Sequence, residues 1–418
     1  MQTSPWLSVS GEPLHLDSTT NFTGRCTPIS KFEKLNRLGE GTYGVVYRAR
    51  DTRNKQLVAL KQVRILPDEG RNGIPITALR EISILCSLKH ANIVNVVDVA
   101  IGDATNGNES QSSPSPLTET YMVMEYVEQD LANLIDELNV KFTISQVKCL
   151  FRQLLEGLEY LHRNDIIHRD VKLQNILLTA KGVLKLADFG MAREYSSRPL
   201  TPGVVTIWYR APELLLGTKY YTPSVDLWAA GLVLAELLVS KPCLPGETVL
   251  EQLSLIVKLL GTPEPEDMAS LSEMGCPDLN RWQRERLAQG RVDNLERRFL
   301  AETSRETVNF LRGMIRWDPK ARWTASESLG KGRSSFASMA ARWWKESPRE
   351  IDKDLLRTFP EVRNSRTTRE KASNHIGLES DTYGNKATQS RSSEVGGYVF
   401  DFGGEEGAPR PAKKHRKI

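Results

Sequence analysis

Apolar and polar positions divide this chain into a strand-rich part followed by a helix-rich part. From Lys31 to Arg64 two apolar-rich runs flank a glycine-rich turn, and a third run, Leu57 to Val63, follows. These read as three strands. A helix is predicted from Pro75 to Leu88, where Ile76, Leu79, Ile82 and Leu85 recur at helical spacing. Pro75 suits its first turn, because a proline there gives up an N–H that has no helical partner. Beyond Tyr121 the pattern turns mostly helical, with long periodic segments at Phe142 to Asn164, Ser224 to Ser240 and Val249 to Leu260. Strands segregated from helices in this way predict an α+β fold in two lobes, residues 31–126 and 127–363. Residues 1–30 read as a flexible leader. Residues 102–118 are a polar insertion that cannot bury a core, and residues 364–418 read as a disordered tail with a basic end.

Composition narrows the class without naming a chemistry. With 39% hydrophobic and 26% charged residues among 418, the chain is an ordinary globular protein. A net charge of +4 is too small to imply nucleic-acid binding, and no aromatic-flanked basic patch lies inside the predicted core. The cysteines Cys26, Cys86, Cys149, Cys243 and Cys276 are scattered and form no CxxC pair, which argues against a disulfide framework or a zinc site. No window approaches 18 uninterrupted apolar residues, and no signal peptide is visible at the N-terminus. The expectation is an intracellular protein with no membrane partner and no direct nucleic-acid partner.

The chemistry lies in a series of short motifs. Gly39-Glu40-Gly41-Thr42-Tyr43-Gly44-Val45-Val46 is a GxGxxGxV loop between strands. Glycines there let the backbone approach phosphates closely, since a Cβ would be in the way. The same spacing marks dinucleotide sites, but those loops open a helix and this one runs into a strand. Val58-Ala59-Leu60-Lys61 then puts a lysine on a strand, and Glu81 in the next helix is placed to pair with it. His168-Arg169-Asp170-Val171-Lys172-Leu173-Gln174-Asn175 follows the long helix. Asp188-Phe189-Gly190 comes behind a short strand, Val183 to Leu186, and Ala211-Pro212-Glu213 closes the segment. Each tripeptide alone is weak, but all five in this order form the protein kinase signature. In that signature Lys61, held by Glu81, takes the α- and β-phosphates of ATP. Asp170 accepts the substrate hydroxyl proton, Lys172 stabilises charge on the transferred phosphate, and Asn175 and Asp188 hold Mg²⁺. A pseudokinase acting as a cyclin-bound scaffold would be expected to lack Lys61, Asp170, Asn175 or Asp188, and all four are present.

Over about Phe32 to Arg363 the chain resembles the cyclin-dependent kinases. The carrying segments are Pro75-Ile76-Thr77-Ala78-Leu79-Arg80-Glu81, Val204 to Glu213 and Leu214-Leu215-Leu216-Gly217. Phe32 to Arg37, Tyr47 to Thr52, Glu128 to Leu131, Leu161 to Asn164, Leu244 to Gly246 and Thr358 to Pro360 resemble one subfamily. The helix motif is closer to another, transcriptional, member. The resemblance implies a cyclin partner docking on helix 75–88 and protein substrates with Ser/Thr followed by Pro. It implies an activating phosphate on Thr201, received by Arg80, Arg169 and Arg193, and inhibitory phosphosites at Thr42 and Tyr43. It also implies an ATP site. Leu38, Gly39, Glu40, Gly41, Thr42, Tyr43 and Gly44 cover the phosphates, while Val46, Ala59 and Leu177 sandwich adenine. Met124 is the gatekeeper, backbone groups of Glu125 and Val127 face the base, and Asp130 reaches the ribose. Asp226 and Trp228 are expected as scaffold, with Asp226 bonding the backbone near His168 and Glu213 pairing with Arg322.

The chain also departs from the family. Leu173 stands where many relatives have proline, and residues 331–342 interrupt a region that usually runs directly from Arg322 to Trp343. Asp401-Phe402-Gly403 repeats the magnesium-site triplet inside the tail, with no strand before it, and is assigned no role. The final cluster, Arg410 with Lys413, Lys414, Arg416 and Lys417, reads as a nuclear import signal.

Overall fold

A computed structural model describes residues 26–41, 44–63, 76–102, 120–195, 207–286 and 292–345. The insertion after residue 102, the loop around Thr201, and the tail with its basic cluster and second Asp-Phe-Gly lie outside these residues. The N-terminal lobe is a sheet of six strands. They are β1 (Thr27–Pro28), β2 (Phe32–Gly41), β3 (Gly44–Asp51), β4 (Leu57–Gln62), β5 (Val96–Ile101) and β6 (Thr120–Glu125), ordered β1-β5-β6-β4-β3-β2. All neighbours are antiparallel except β1, which adds to β5 in parallel. Phe32, Ala49, Val58, Leu60, Ala100, Tyr121 and Val123 make a small core under this sheet.

β1 corrects the sequence reading. Residues 1–30 were expected to be flexible, yet Thr27 and Pro28 pair with Ala100 and Ile101. Two residues carry no detectable period, and what fixes them is the open edge of β5 together with a hydrogen bond from Thr27 Oγ1 to Asp98 Oδ2 (2.6 Å).

Helix α1 (Ile76–Ser87) packs on the Phe189–Met191 turn, so it joins the large C-terminal core through Ile84 and Leu85. Of the apolar residues that recur at helical spacing, Leu79 is 49% exposed. Glu81 takes the inward place on that turn, at 6% exposure. A charged residue sits inside because it has a buried partner, described below.

The C-terminal lobe begins with β7 (Gln129–Asp130) and is organised on α2 (Ile144–Arg163). Thr143 starts α2 as a capping box. Its hydroxyl accepts from Gln146 N–H, and Gln146 Oε1 accepts from Thr143 N–H (2.9 Å). Short strands β8 (Ile166–Ile167), β9 (Ile176–Leu178), β10 (Leu184–Leu186) and β11 (Arg193–Glu194) follow, β7, β9 and β10 forming one sheet and β8 and β11 another. Then come α3 (Pro212–Leu215), α4 (Ser224–Val239), α5 (Val249–Leu260), α6 (Pro265–Glu273), α7 (Leu279–Arg286), α8 (Leu295–Phe299), α9 (Arg305–Met314), α10 (Ala325–Ser328) and α11 (Ser335–Lys345). α4 is buried along most of its length and Trp228 has no exposed surface, as expected of scaffold.

Residues 331–342, read as an interruption, are largely taken up by α11, which packs on α9 and α10. Ala337, Ala340 and Trp343 are buried, and the buried Lys148 donates from Nζ to Trp343 O (2.6 Å). An amphipathic helix thus occupies this stretch, and burial of its small residues and tryptophan explains why it orders.

Candidate active site

Register brings the glycine loop, the lysine and β6 together. Gly39 lies opposite Val46 across β2–β3, Val46 opposite Lys61 across β3–β4, and Ala59 opposite Met124 across β4–β6. A Cβ at Gly39 would meet nothing within 4 Å among the described residues, so internal packing does not demand glycine there. Gly44 turns the hairpin at φ 145°, a conformation that favours glycine. Thr42 and Tyr43 lie outside the described residues, as do the side chains at 40 and 41; Leu38 is half-buried on β2.

Lys61 is the junction of the site. Its Nζ lies 2.7 Å from Glu81 Oε1 and 2.9 Å from Asp188 Oδ1, which joins β4, α1 and the residue after β10 and Ala187. Burial works against its charge, but the two carboxylates outweigh burial and hold the ammonium above the ordinary lysine range. For Asp188, burial is outweighed by Lys61 and its carboxyl is held low. Asp188 adopts φ 61°, ψ 79°, a left-handed conformation uncommon for a residue with a side chain. Such strain persists where surrounding contacts over-determine it.

The loop after β8 sets out the second half. Asp170 Oδ2 accepts from Lys172 Nζ (2.9 Å) and from Asn175 Nδ2 (2.8 Å), and Asn175 Nδ2 also donates to Asp170 O (2.8 Å). Asp170 Oδ1 and Asn175 Oδ1 have no hydrogen-bond partner among the described residues. His168 spaces this loop. Its Nε2–H donates to Ala187 O (3.1 Å) and its Nδ1 accepts from Asp170 N–H (3.3 Å), which fixes one neutral tautomer. Burial holds the ring below the usual histidine range, in keeping with that neutral form. Beneath it, Asp226 Oδ2 accepts from His168 N–H (2.9 Å) and Oδ1 from Arg169 N–H (2.8 Å), as the sequence reading expected. Glu213 and Arg322, both without exposed surface, form a bidentate pair at 2.6 and 2.7 Å.

On the nucleotide-base side, β7 pairs with β9 so that Asp130 faces Leu177. Asp130 Oδ1 also accepts from Asn133 N–H (2.7 Å) and so shapes the turn it sits on. Val127 is 3% exposed and makes no backbone hydrogen bond among the described residues. Glu125 is pinned: its Oε1 accepts from Lys185 Nζ (2.8 Å) and Asn95 N–H (2.7 Å).

Of the three arginines expected around Thr201, two are brought together. Arg193 pairs with Ile167 across β8–β11, two residues from Arg169, and both arginines act electrostatically on Tyr221. Arg169 donates from Nε to Met191 O (2.6 Å) and from Nη1 to Tyr221 Oη. Arg80 is half-buried on α1, and Thr201 itself lies outside the described residues.

Tyr221 was missed in the sequence, as was His162, whose Nε2 lies 2.9 Å from Asp226 Oδ2. So was the buried pair Tyr209 Oη and Glu236 Oε2, at 2.5 Å. His162 and Tyr209 lie in segments that carry the family resemblance, but none of these residues has a part in the catalytic motifs, and each partner is far away in the chain, so no local signal marks the pairing. Burial pushes Glu236 up to about 7, against the pull of the Tyr209 hydroxyl.

Asp188 Oδ2 and the free Asn175 Oδ1 are hard oxygen donors of the kind magnesium takes, leaving its remaining positions to phosphate oxygens and water. Among the described residues no group of three or more His, Cys, Asp or Glu could hold a metal by itself, and no helix is long and apolar enough to cross a membrane.

Residues 32–331 match the model of the protein kinase domain. Over 347 residues the chain is 46% identical to mouse cyclin-dependent kinase 10, covering 82% of this chain and 88% of that one. It is 39% identical over 349 residues to rice cyclin-dependent kinase G-2, covering 81% of this chain and 45% of that longer one. The fold is similar to a chain in the crystal structure of the yeast RNA polymerase II CTD kinase complex, with TM-score 0.64, 34% identity, and 78% of this chain and 95% of that one covered. Protein kinases generally use ATP and Mg²⁺. With its signature residues converging on one cleft and its relatives running nearly the length of the chain, the protein belongs to the cyclin-dependent kinase family and is a serine/threonine protein kinase.

Proposed function

We propose that the chain transfers the γ-phosphate of Mg-ATP to serine or threonine followed by proline, once a cyclin has docked on α1 and Thr201 has been phosphorylated. One observation carries the catalytic part: Lys61 joins Glu81 and Asp188 at 2.7 and 2.9 Å, so the regulatory helix and the magnesium-site aspartate share one cation. Displacing α1 pulls on both.

In this reading Asp188 Oδ2 and Asn175 Oδ1 hold Mg²⁺, which supplies charge neutralisation at the phosphates. Lys61 orients the α- and β-phosphates. Lys172 and Asn175 occupy Asp170 Oδ2 and leave Oδ1 to accept the substrate hydroxyl proton. The open backbone at Val127 takes the base, Val46, Ala59 and Leu177 flank it, and Asp130 reaches the ribose. Leu38, Gly39 and the rest of the loop to Gly44 cover the phosphates, with Thr42 and Tyr43 as inhibitory phosphosites. Arg80, Arg169 and Arg193 receive the Thr201 phosphate, three acceptor oxygens being enough to order a loop. Leu79, exposed on α1 between inward-facing residues, is the apolar contact offered to the cyclin. The basic cluster at Arg410 and Lys413 to Lys417 directs the protein to the nucleus.

The test is radiolabelled transfer from Mg-ATP to a Ser-Pro peptide by the chain alone, by the chain purified with the cyclin it captures, and by that complex carrying Asp170→Asn. Transfer confined to the wild-type complex is the expected result. No transfer by a wild-type complex with bound cyclin and phosphorylated Thr201 would overturn the reading.

A further inference from the structure

The strand that the leader contributes carries a dipeptide of its own interest, Thr27-Pro28. Thr27 Oγ1 donates to Asp98 Oδ2 (2.6 Å), an oxygen that also lies 3.5 Å from Arg53 Nη2. Arg53 is committed chiefly to Asp51, with Nη2 to Oδ2 at 2.8 Å and Nε to Oδ1 at 3.0 Å. The Thr27 hydroxyl therefore rests on one carboxylate, Asp98, whose neighbouring guanidinium is already committed to a second, Asp51. The segment is reachable: Thr27 is half-buried, while Cys26 and Pro28 are exposed. Its backbone is already extended, Pro28 standing at φ −60°, ψ 137°. Two residues at a sheet edge open at little cost compared with the core.

We propose that Thr27 is a phosphoacceptor for this kinase acting on a second copy of itself, and that its phosphorylation detaches β1 from β5. The inference rests on the proline-directed reading above. In the transfer, the Thr27 hydroxyl oxygen bonds to the γ-phosphorus of ATP as that phosphorus parts from the β,γ-bridging oxygen. ADP leaves with the electron pair, and the hydroxyl proton passes to Asp170 of the acting copy and then to water.

The product loses its donor to Asp98 and gains a charge of about −1.5 to −2 beside that carboxylate, whose neighbouring cation, Arg53, is shared with Asp51. Like-charge repulsion then replaces the hydrogen bond that holds the strand. The detachment stops at Lys31. Its carbonyl accepts from both Thr52 N–H and Thr52 Oγ1, each at 2.9 Å, and Phe32 behind it is 5% exposed in the N-lobe core. What is released is the segment from Cys26 to about residue 30, and what is uncovered is the edge of β5, a row of backbone donors and acceptors open to another strand.

The experiment has two arms on the full chain. In the first, wild-type complex and Mg-ATP are mixed with the full-length Asp170→Asn chain, with a Ser-Pro peptide labelled in parallel. Phosphate mapped to Thr27 of the Asp170→Asn chain, and absent from its Thr27→Ala derivative, is the expected result. Labelling of the peptide without Thr27 overturns this inference alone; labelling of neither overturns it together with the proline-directed reading. In the second arm, hydrogen exchange is followed on the full chain carrying genetically encoded phosphothreonine at position 27. Amides of residues 26–30 and 96–101 should exchange at least about tenfold faster than in the unmodified chain. Unchanged exchange, or slowing because Arg53 captures the phosphate, overturns the switch.

Discussion

Lys61 and Glu81, twenty residues apart, meet at 2.7 Å in a setting where each is less than one-tenth exposed. Because Lys61 also holds Asp188, the pair sets the position of that carboxylate, the proposed magnesium ligand. Replacing Glu81 by Gln keeps the shape and removes one charged partner, which is worth about 1.5–3 kcal/mol for a charge-assisted bond. Transfer should fall about 10- to 100-fold, with the melting temperature within a few degrees of wild type. Steady-state kinetics on the activated complex measures this, and an unchanged kcat/KM would break the link between α1 and the site.

Asp188→Asn removes a negative oxygen donor and weakens the hold on Lys61. A lost metal contact of this kind takes several kcal/mol of transition-state stabilisation with it. Transfer should drop by at least about 100-fold. The measurement is the same peptide assay, and activity within tenfold of wild type would contradict the assignment.

Leu79 is exposed, so Leu79→Asp should leave folding within about 0.5 kcal/mol of wild type. Its effect belongs at the proposed cyclin surface. Capture of cyclin from cells, and transfer by the captured complex, should each fall at least about tenfold, one charge in an apolar contact being worth more than 1.4 kcal/mol. Normal capture would move the docking site away from Leu79.

Glu236 gives the fold a pH dependence of a definite sign. Its folded pKa, about 7, lies above the ordinary 4.5, so the folded state holds a proton that the unfolded state has released. This contribution is complete below pH 4.5 and is lost as pH rises toward 7. Glu236→Gln removes the charge at all pH values, so relative to wild type it should gain up to about 3 kcal/mol between pH 5 and pH 8. Denaturant unfolding at the two pH values reads the difference directly; equal gaps at both would show that Glu236 does not titrate in this window.

A Cβ on Gly313 would run into the ring of Trp323, which is 1% exposed. Gly313→Ala should therefore destabilise the C-terminal lobe by about 1–3 kcal/mol or more through overpacking. The denaturant midpoint checks this.

The catalytic motifs were legible because each is a local device. A glycine loop between strands, a lysine on β4 and the residues around Asp170 and Asp188 need only short spacing to do their work, so the signature survives in one dimension. Leu79 shows where this fails. Helical spacing groups it with Ile82 and Leu85, but the buried partner on that turn is the charge on Lys61, and Glu81 goes inside instead. Periodicity counts apolar residues and does not know where a buried cation lies.

β1 and α11 were misread for related reasons. Thr27-Pro28 has no period of its own and is held by Asp98 and the edge of β5, some seventy residues on. Ser335–Lys345 departs from the family pattern and looked like an interruption, until Ala337, Ala340 and Trp343 found a surface on α9 and α10.

The sequence alone determined the fold class, the kinase chemistry and the order of its parts, since these follow from local pattern and from residue types that phosphoryl transfer requires. Tertiary structure alone decided which oxygen of Asp170 stays open, that His168 is held in one neutral form, that Tyr221 receives Arg169, and that Glu236 is buried against Tyr209. Those facts depend on distance and burial between segments far apart in the chain, where hydrogen bonds and desolvation are settled only once the core has closed.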